Sequence, residues 1–199
     1  MLRRLMNRPS QSDLVADLSK ILSRERVSIA TPDRVLHSGD RWSKTQMWRR
    51  QGELGAYSPD CVAWPESYEE VQDLMRYCSE HHLPLIPFGG GTGVCGGVLP
   101  LKGGVSVDMK RLKDIVDVDD ASQTVCAQAG VRGEALETML NTQGFTLGHA
   151  PVSLLRSTLG GWLATRSAGQ YSSRYGKIED LVMHLKVVLP DGALMDTSS

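Results

Sequence analysis

The sequence predicts an α+β fold, as one domain or two small lobes. A β-α-β part over residues 57–112 is followed by a larger α+β part over 113–199, and a helical and irregular extension over 1–56 precedes both. Three observations carry this expectation. One strand–helix–strand unit stands in the first half, and apolar–polar alternation typical of strands takes over beyond residue 105. Between them lies the run Pro87-Phe88-Gly89-Gly90-Gly91-Thr92-Gly93-Val94-Cys95-Gly96-Gly97.

Each element has a local reason. Leu14, Leu18, Ile21 and Leu22 fall on one stripe, with Asp13 and Asp17 near the start, so residues 11–25 are expected to be helical. Residues 31–60 are polar and lack a period. They are expected to cross the domain irregularly, packing Trp42 and Trp48 from a basic setting of Arg41, Lys44, Arg49 and Arg50. Cys61-Val62-Ala63-Trp64 reads as a short strand ended by Pro65, and Ser67 with Glu70 has the spacing of a capping box. Val71, Leu74, Met75 and Cys78 then form one apolar helical face, and Leu85-Ile86 is the next strand. Strands are expected over 105–109, 115–118 and 124–127, the last two joined by Asp119-Asp120-Ala121-Ser122. A helix follows over 134–142 with Gly144 as its cap, then a helix-like stretch over 161–165. A strand over 181–189 ends at Pro190-Asp191-Gly192, where Asp191-Gly192 is a hairpin turn signal.

Composition narrows the function classes. The chain has 199 residues, 41% hydrophobic and 23% charged, as in an ordinary soluble globular protein. A formal net charge of −1 gives no electrostatic reason for a nucleic-acid partner. No apolar run approaches the ~20 residues that span a bilayer. The basic start Met1–Arg8 lacks a signal core, which points to an intracellular and most simply cytoplasmic protein, with an organellar transit segment as the alternative. Cys61, Cys78, Cys95 and Cys126 are scattered and read as reduced thiols, neither a disulfide frame nor a zinc site. No metal is expected.

Two segments carry chemistry. Glycine lacks Cβ, so the glycine run can take positive φ and bring successive N–H groups against an anion such as a pyrophosphate. It is neither a GxGxxG fingerprint nor a Walker loop, and tight turns alone are the competing explanation. Gly90→Val is expected to abolish cofactor retention, because a branched side chain would obstruct the pyrophosphate and clash at positive φ. The second segment runs from Gly148 to Asp180. Ser157-Thr158-Leu159-Gly160-Gly161 places hydroxyls and glycines ahead of a short helix, whose N-terminus is expected to favour phosphate. Thr165-Arg166-Ser167-Ala168-Gly169 adds a hydroxyl, a cation and a turn, and an ordinary surface loop is the plain alternative. Arg166 suits an anionic ligand, or equally a surface ion pair. His149 reads as structural in the absence of an oriented partner. His81 and His82 cap or solvate a helix end, His37 has no partner at recognisable spacing, and His184 is expected in a strand. Tyr171 and Tyr175 are expected to pack more than to stack on a cofactor.

Taken together, the segments resemble the FAD-linked oxidases of the vanillyl-alcohol oxidase type, with a PCMH-type FAD-binding domain, from Tyr57 to Gly192. Four stretches carry the likeness in order: Gly89–Thr92, Gly148–Pro151, Gly160–Arg166 and Tyr175–Val182. Within that superfamily they look most like the alkyldihydroxyacetonephosphate synthases. The resemblance implies non-covalent FAD held between the two lobes, since the glycine loop has Thr92 and no His. Pro87, Phe88, Gly89, Gly90, Gly91, Thr92 and Gly93 would wrap the pyrophosphate. Val152, Ser153, Leu154, Leu155, Arg156, Ser157 and Thr158 would line the cofactor's middle, with Ser157 and Thr158 as hydroxyl contacts. Thr165, Arg166, Ser167 and Ala168 would form a third contact near the flavin.

The family's second loop serine is Gly93 here. The resemblance also implies that the substrate-binding cap domain and the catalytic Tyr and His residues lie beyond Ser199, so no catalytic residue is assigned. The implied reaction exchanges the acyl chain of an acyl-dihydroxyacetone phosphate for a fatty alcohol, with no net redox change. The alternatives are an FAD-dependent D-2-hydroxyacid dehydrogenase of lactate or glycolate type, or a non-catalytic FAD-binding fragment or subunit. A small-molecule or lipid-like substrate is expected. A cap domain or a second copy of the chain is expected to cover an otherwise exposed apolar face.

Overall fold

A computed structural model describes residues 9–198. The basic stretch Met1–Arg8 lies outside the described residues. The first helix, α1 (Gln11–Ile21), starts at a full capping box: the Ser10 hydroxyl accepts from the Asp13 amide, and the Asp13 carboxylate accepts from the Ser10 amide. Its stripe Leu14, Val15 and Leu18 is buried.

The segment 31–60 departs from the expected irregular crossing. It holds two helices, α2 (Thr31–Leu36) and α3 (Ser43–Gln51). Proline in the first turn starts α2, and α3 buries only Thr45, so neither presents a readable apolar stripe. Trp42 and Trp48 meet edge to face at 6.1 Å, and Trp48 packs on Tyr57 at 4.6 Å.

A four-stranded sheet organises the first half. It comprises β1 (Val27–Ser28), β2 (Cys61–Ala63), β3 (Leu85–Phe88) and β4 (Val105–Asp108) in the order β1-β2-β4-β3. The helix α4 (Tyr68–Glu80) joins β2 to β3, yet these two strands do not pair. Instead β4 lies between them, parallel to both, while β1 is antiparallel to β2. β2 and β4 are buried along their whole length, as expected where both faces of a sheet are covered. Leu74 and Cys78 of α4 pack with Leu14, Leu18, Val105 and Val107 in one core cluster. The expected capping box at Ser67 is half formed. Ser67 accepts from the Glu70 amide, but the Glu70 carboxylate turns to the Glu66 amide and to Arg26, at 2.7 and 2.6 Å.

The second half has two antiparallel hairpins, β5 (Ile115–Asp119) with β6 (Thr124–Ala127), and β7 (Lys186–Val188) with β8 (Leu194–Asp196). The strand expected over 181–189 is shorter and is half of a hairpin, leaving His184 outside it. Three helices complete the fold: α5 (Gly133–Thr142), α6 (Leu159–Thr165) and α7 (Ser172–Tyr175). A second core cluster forms where Val131, Leu136 and Leu140 meet Val118, Val125 and Phe145. The mixed helix and sheet content is that of an α+β fold. Among the described residues no helix is long and apolar enough to cross a membrane.

Candidate cofactor site

The glycine run leaves the carboxyl end of β3, the edge strand of the sheet, and returns to β4 at Val105. Among the described residues, the amides of Gly89, Gly90, Gly91, Thr92, Gly93, Val94 and Cys95 donate to no protein acceptor. Gly89 to Thr92 are half-buried and Gly93 to Cys95 exposed, so this stretch of backbone is open to water or to an anion. Gly91 sits at φ +61°, where a side chain would strain the backbone and meet the Phe88 ring.

The loop is tied down from the N-terminal segment. The buried Asp40 carboxylate accepts from the Gly96 amide at 2.9 Å through Oδ2, and from the Trp42 amide at 3.0 Å through Oδ1. The Arg41 amide donates to the Gly93 carbonyl at 2.8 Å. No local pattern marks Asp40 as the loop's anchor, because Gly96 lies 56 residues away.

The first two segments singled out in the sequence meet. A Cβ on Gly90 would run into the Arg156 carbonyl, and one on Gly89 would run into the Thr158 hydroxyl. Glycine at 90 therefore lets the loop lie on the 156–158 backbone. That corrects one part of the reason expected for Gly90: its φ is not positive, the positive values in the run falling at Gly91 and Gly96, and the missing side chain makes room for protein backbone. The 152–158 turn is held in turn by α5, whose Gly133 and Glu134 amides donate to the Ser157 and Leu154 carbonyls at 3.0 and 3.1 Å.

The helix N-terminus expected to receive phosphate is closed. The Leu159 and Gly160 amides donate to Val131 and Ala129 carbonyls at 2.9 and 2.8 Å, and the Gly161 amide to the Thr158 hydroxyl at 3.3 Å. Ser157, also buried, donates to the Ser153 carbonyl at 2.8 Å and accepts from Trp162 Nε1 at 2.7 Å. These hydroxyls hold the turn in shape, while Val152 and Leu155 beside them stand exposed.

The third segment follows α6. Arg166 is in the left-handed region at φ 50° and closes the helix. Its guanidinium pairs with Glu179 at 3.0 Å, the ion-pair reading of this residue. The hydrogen bonds from Lys177 and then Arg166 hold the Glu179 carboxyl down at about 2. Thr165 donates to the Gly161 carbonyl at 2.8 Å, and Ala168 is exposed. Ser167 lies 2.8 Å from His149 Nε2. His149 is buried against Trp162, its Nδ1 has no partner among the described residues, and burial pushes its pKa down. Tyr175 packs under Gly148, whereas the Tyr171 ring is half exposed.

His37, expected to stand alone, has partners after all. Its Nδ1 lies 2.7 Å from the Asp33 carbonyl and its Nε2 lies 2.9 Å from Asp108 Oδ2, both residues being buried. Trp64 Nε1 and Lys110 Nζ reach the same oxygen at 3.2 and 3.0 Å. Burial raises the Asp108 pKa, but the His37 hydrogen bond and the Lys110 charge outweigh it and leave the carboxyl below its ordinary value. The Lys110 ammonium also sits 5.2 Å over the Phe88 ring.

Fold and loop together place a glycine-rich turn with unpaired backbone amides at the carboxyl end of a parallel strand pair, the place where open α/β sheets take ligands. The family model described as the FAD binding domain matches residues 59–198, and the chain belongs to that family, whose cofactor is FAD. An alkyldihydroxyacetonephosphate synthase of Dictyostelium discoideum is 41% identical over 140 residues, covering 69% of this chain and 23% of that protein. A probable mitochondrial D-lactate dehydrogenase of Danio rerio is 36% identical over 140 residues, covering 70% and 28% respectively. A solved alkyldihydroxyacetonephosphate synthase superposes with a TM-score of 0.88 at 33% identity, over 95% of this chain and 38% of that one. The chain thus spans less than two-fifths of the length of each of these proteins.

Proposed function

We propose that the chain is the FAD-holding portion of a flavoenzyme of the alkyldihydroxyacetonephosphate synthase type. The observation that carries this reading is the row of unpaired amides from Gly89 to Cys95, whose first two glycines pack against Arg156–Thr158. In it, Pro87 to Gly93 take the pyrophosphate, Val152 to Thr158 flank the cofactor's middle, and Thr165 to Ala168 approach the flavin. In this reading each of the two core clusters is the centre of one lobe, and FAD lies between the lobes. FAD is held without a covalent link, since the loop offers Thr92 where a tethering His would stand. The isoalloxazine supplies the bond-making chemistry when bound; this chain's residues hold and orient it.

The reaction proposed for the whole protein is exchange of an acyl chain for a fatty alcohol on a dihydroxyacetone phosphate ester. A cap domain outside this chain would bring the acid–base residues. The 36% identity to a D-lactate dehydrogenase favours oxidation of a D-2-hydroxyacid as the second reading.

The first test is the visible spectrum of the purified chain before and after adding FAD. Flavin bands that co-elute with the chain and leave on denaturation support non-covalent FAD. A chain that stays colourless in excess FAD overturns the reading. In the full-length protein, release of fatty acid on adding fatty alcohol supports the synthase reaction, whereas dye reduction by D-lactate supports the dehydrogenase.

A further inference from the structure

Beside the glycine loop is a cleft of about 470 Å³ whose floor includes Gly90, Gly91 and Phe88. Four cationic side chains line it: Arg41, Arg49, Lys110 and Arg156. Arg41 and Arg49 come from the segment before residue 59, outside the stretch the family model matches. Arg41 and Arg156 have no carboxylate partner among the described residues, and Arg49 meets only the Gln46 side-chain carbonyl, at 3.1 Å. The one acid in the lining is Asp40, whose carboxylate already accepts from the Trp42 and Gly96 amides. Lys110 is held in place by Asp108 at 3.0 Å.

Like charges gathered in a cleft repel unless an anion joins them, and that repulsion is strongest at low ionic strength. The donors differ in kind. Backbone amides recognise individual phosphate oxygens, and guanidinium forks can grip two oxygens at once. A doubly charged group spanning two phosphorus centres fits this pairing better than a single carboxylate does.

We infer that Arg41 and Arg49 complete the diphosphate site proposed above, and so make the N-terminal segment part of the cofactor site. The inference rests on the FAD reading above but goes beyond it: the countercharge to the phosphates comes from residues outside the matched domain. Arg41 and Arg49 are exposed, so changing them leaves both core clusters intact.

The experiment is calorimetric titration of the full 199-residue chain and its Arg41→Gln/Arg49→Gln double variant. The probes are inorganic pyrophosphate and FAD, each at low and at physiological salt. In the wild type, pyrophosphate should compete with FAD, and salt should weaken both. Each lost charged contact should weaken binding about tenfold, so the double variant should bind both probes roughly a hundredfold less well. If FAD binds while pyrophosphate fails to compete and the double variant retains full affinity, the cleft assignment is overturned and the FAD reading stands. If pyrophosphate binds and the double variant loses it, yet FAD does not bind, the cleft stands as a diphosphate site and the FAD reading falls. If neither probe binds the wild type, both are overturned.

Discussion

The Asp40 carboxylate accepts the Gly96 amide at 2.9 Å, joining the N-terminal segment to the far end of the glycine loop. The same carboxylate accepts from Trp42, so one buried side chain sets the spacing between two stretches of backbone. A loop whose other amides are unpaired needs such anchors, and the Arg41 amide on the Gly93 carbonyl adds a second from the same segment.

Asp40→Ala removes both bonds and leaves two part-buried donors unpaired. We expect a loss of about 2 to 4 kcal/mol in urea unfolding. If about 1.4 kcal/mol of that is felt at the loop, FAD affinity drops about tenfold. Unchanged stability and unchanged flavin titration would show that the anchor is dispensable.

Gly90 and Gly97 offer a paired test within one loop. A Cβ at 90 meets the Arg156 carbonyl, whereas a Cβ at 97 meets nothing within 4 Å. Gly90→Ala should therefore cost about 1–3 kcal/mol through overpacking against backbone, and Gly97→Ala should be close to neutral. Equal melting temperatures for the two variants would contradict the packing of the loop on 156–158.

Acid should destabilise the fold in two stages. Burial depresses the His149 pKa below its ordinary 6.5, so the unfolded chain takes up that proton first. The stability this represents is complete above about pH 6.5 and is lost as pH falls toward the lower folded value. Asp108 is also depressed, below 3.8, and its contribution disappears only at still lower pH. In thermal melts between pH 7.5 and 5, His149→Phe should flatten the slope, while Asp108→Ala should lower stability by about 3–5 kcal/mol throughout, because His37 and Lys110 lose their carboxylate. A wild-type melting temperature that is level across that range would rule out the His149 part.

What could be read from the sequence was whatever depends on neighbours in the chain. The stripe Leu14, Leu18 of α1, the apolar face Leu74, Cys78 of α4 and the β5–β6 hairpin follow from side-chain period and turn chemistry, which act over a few residues. The glycine loop stood out for the same reason, and so did the family. The polar helices α2 and α3 did not, because what holds them is contact with distant elements and not a stripe of their own. The insertion of β4 between β2 and β3, the anchoring of the loop by Asp40 and the His37–Asp108–Lys110 cluster join residues many tens of positions apart. Such pairings carry no local periodicity, so only the closed chain could decide them. The tertiary structure also reversed one local inference, since the first N–H groups of α6, beyond the one its own cap Thr158 takes, are bound here by the distant carbonyls of Ala129 and Val131.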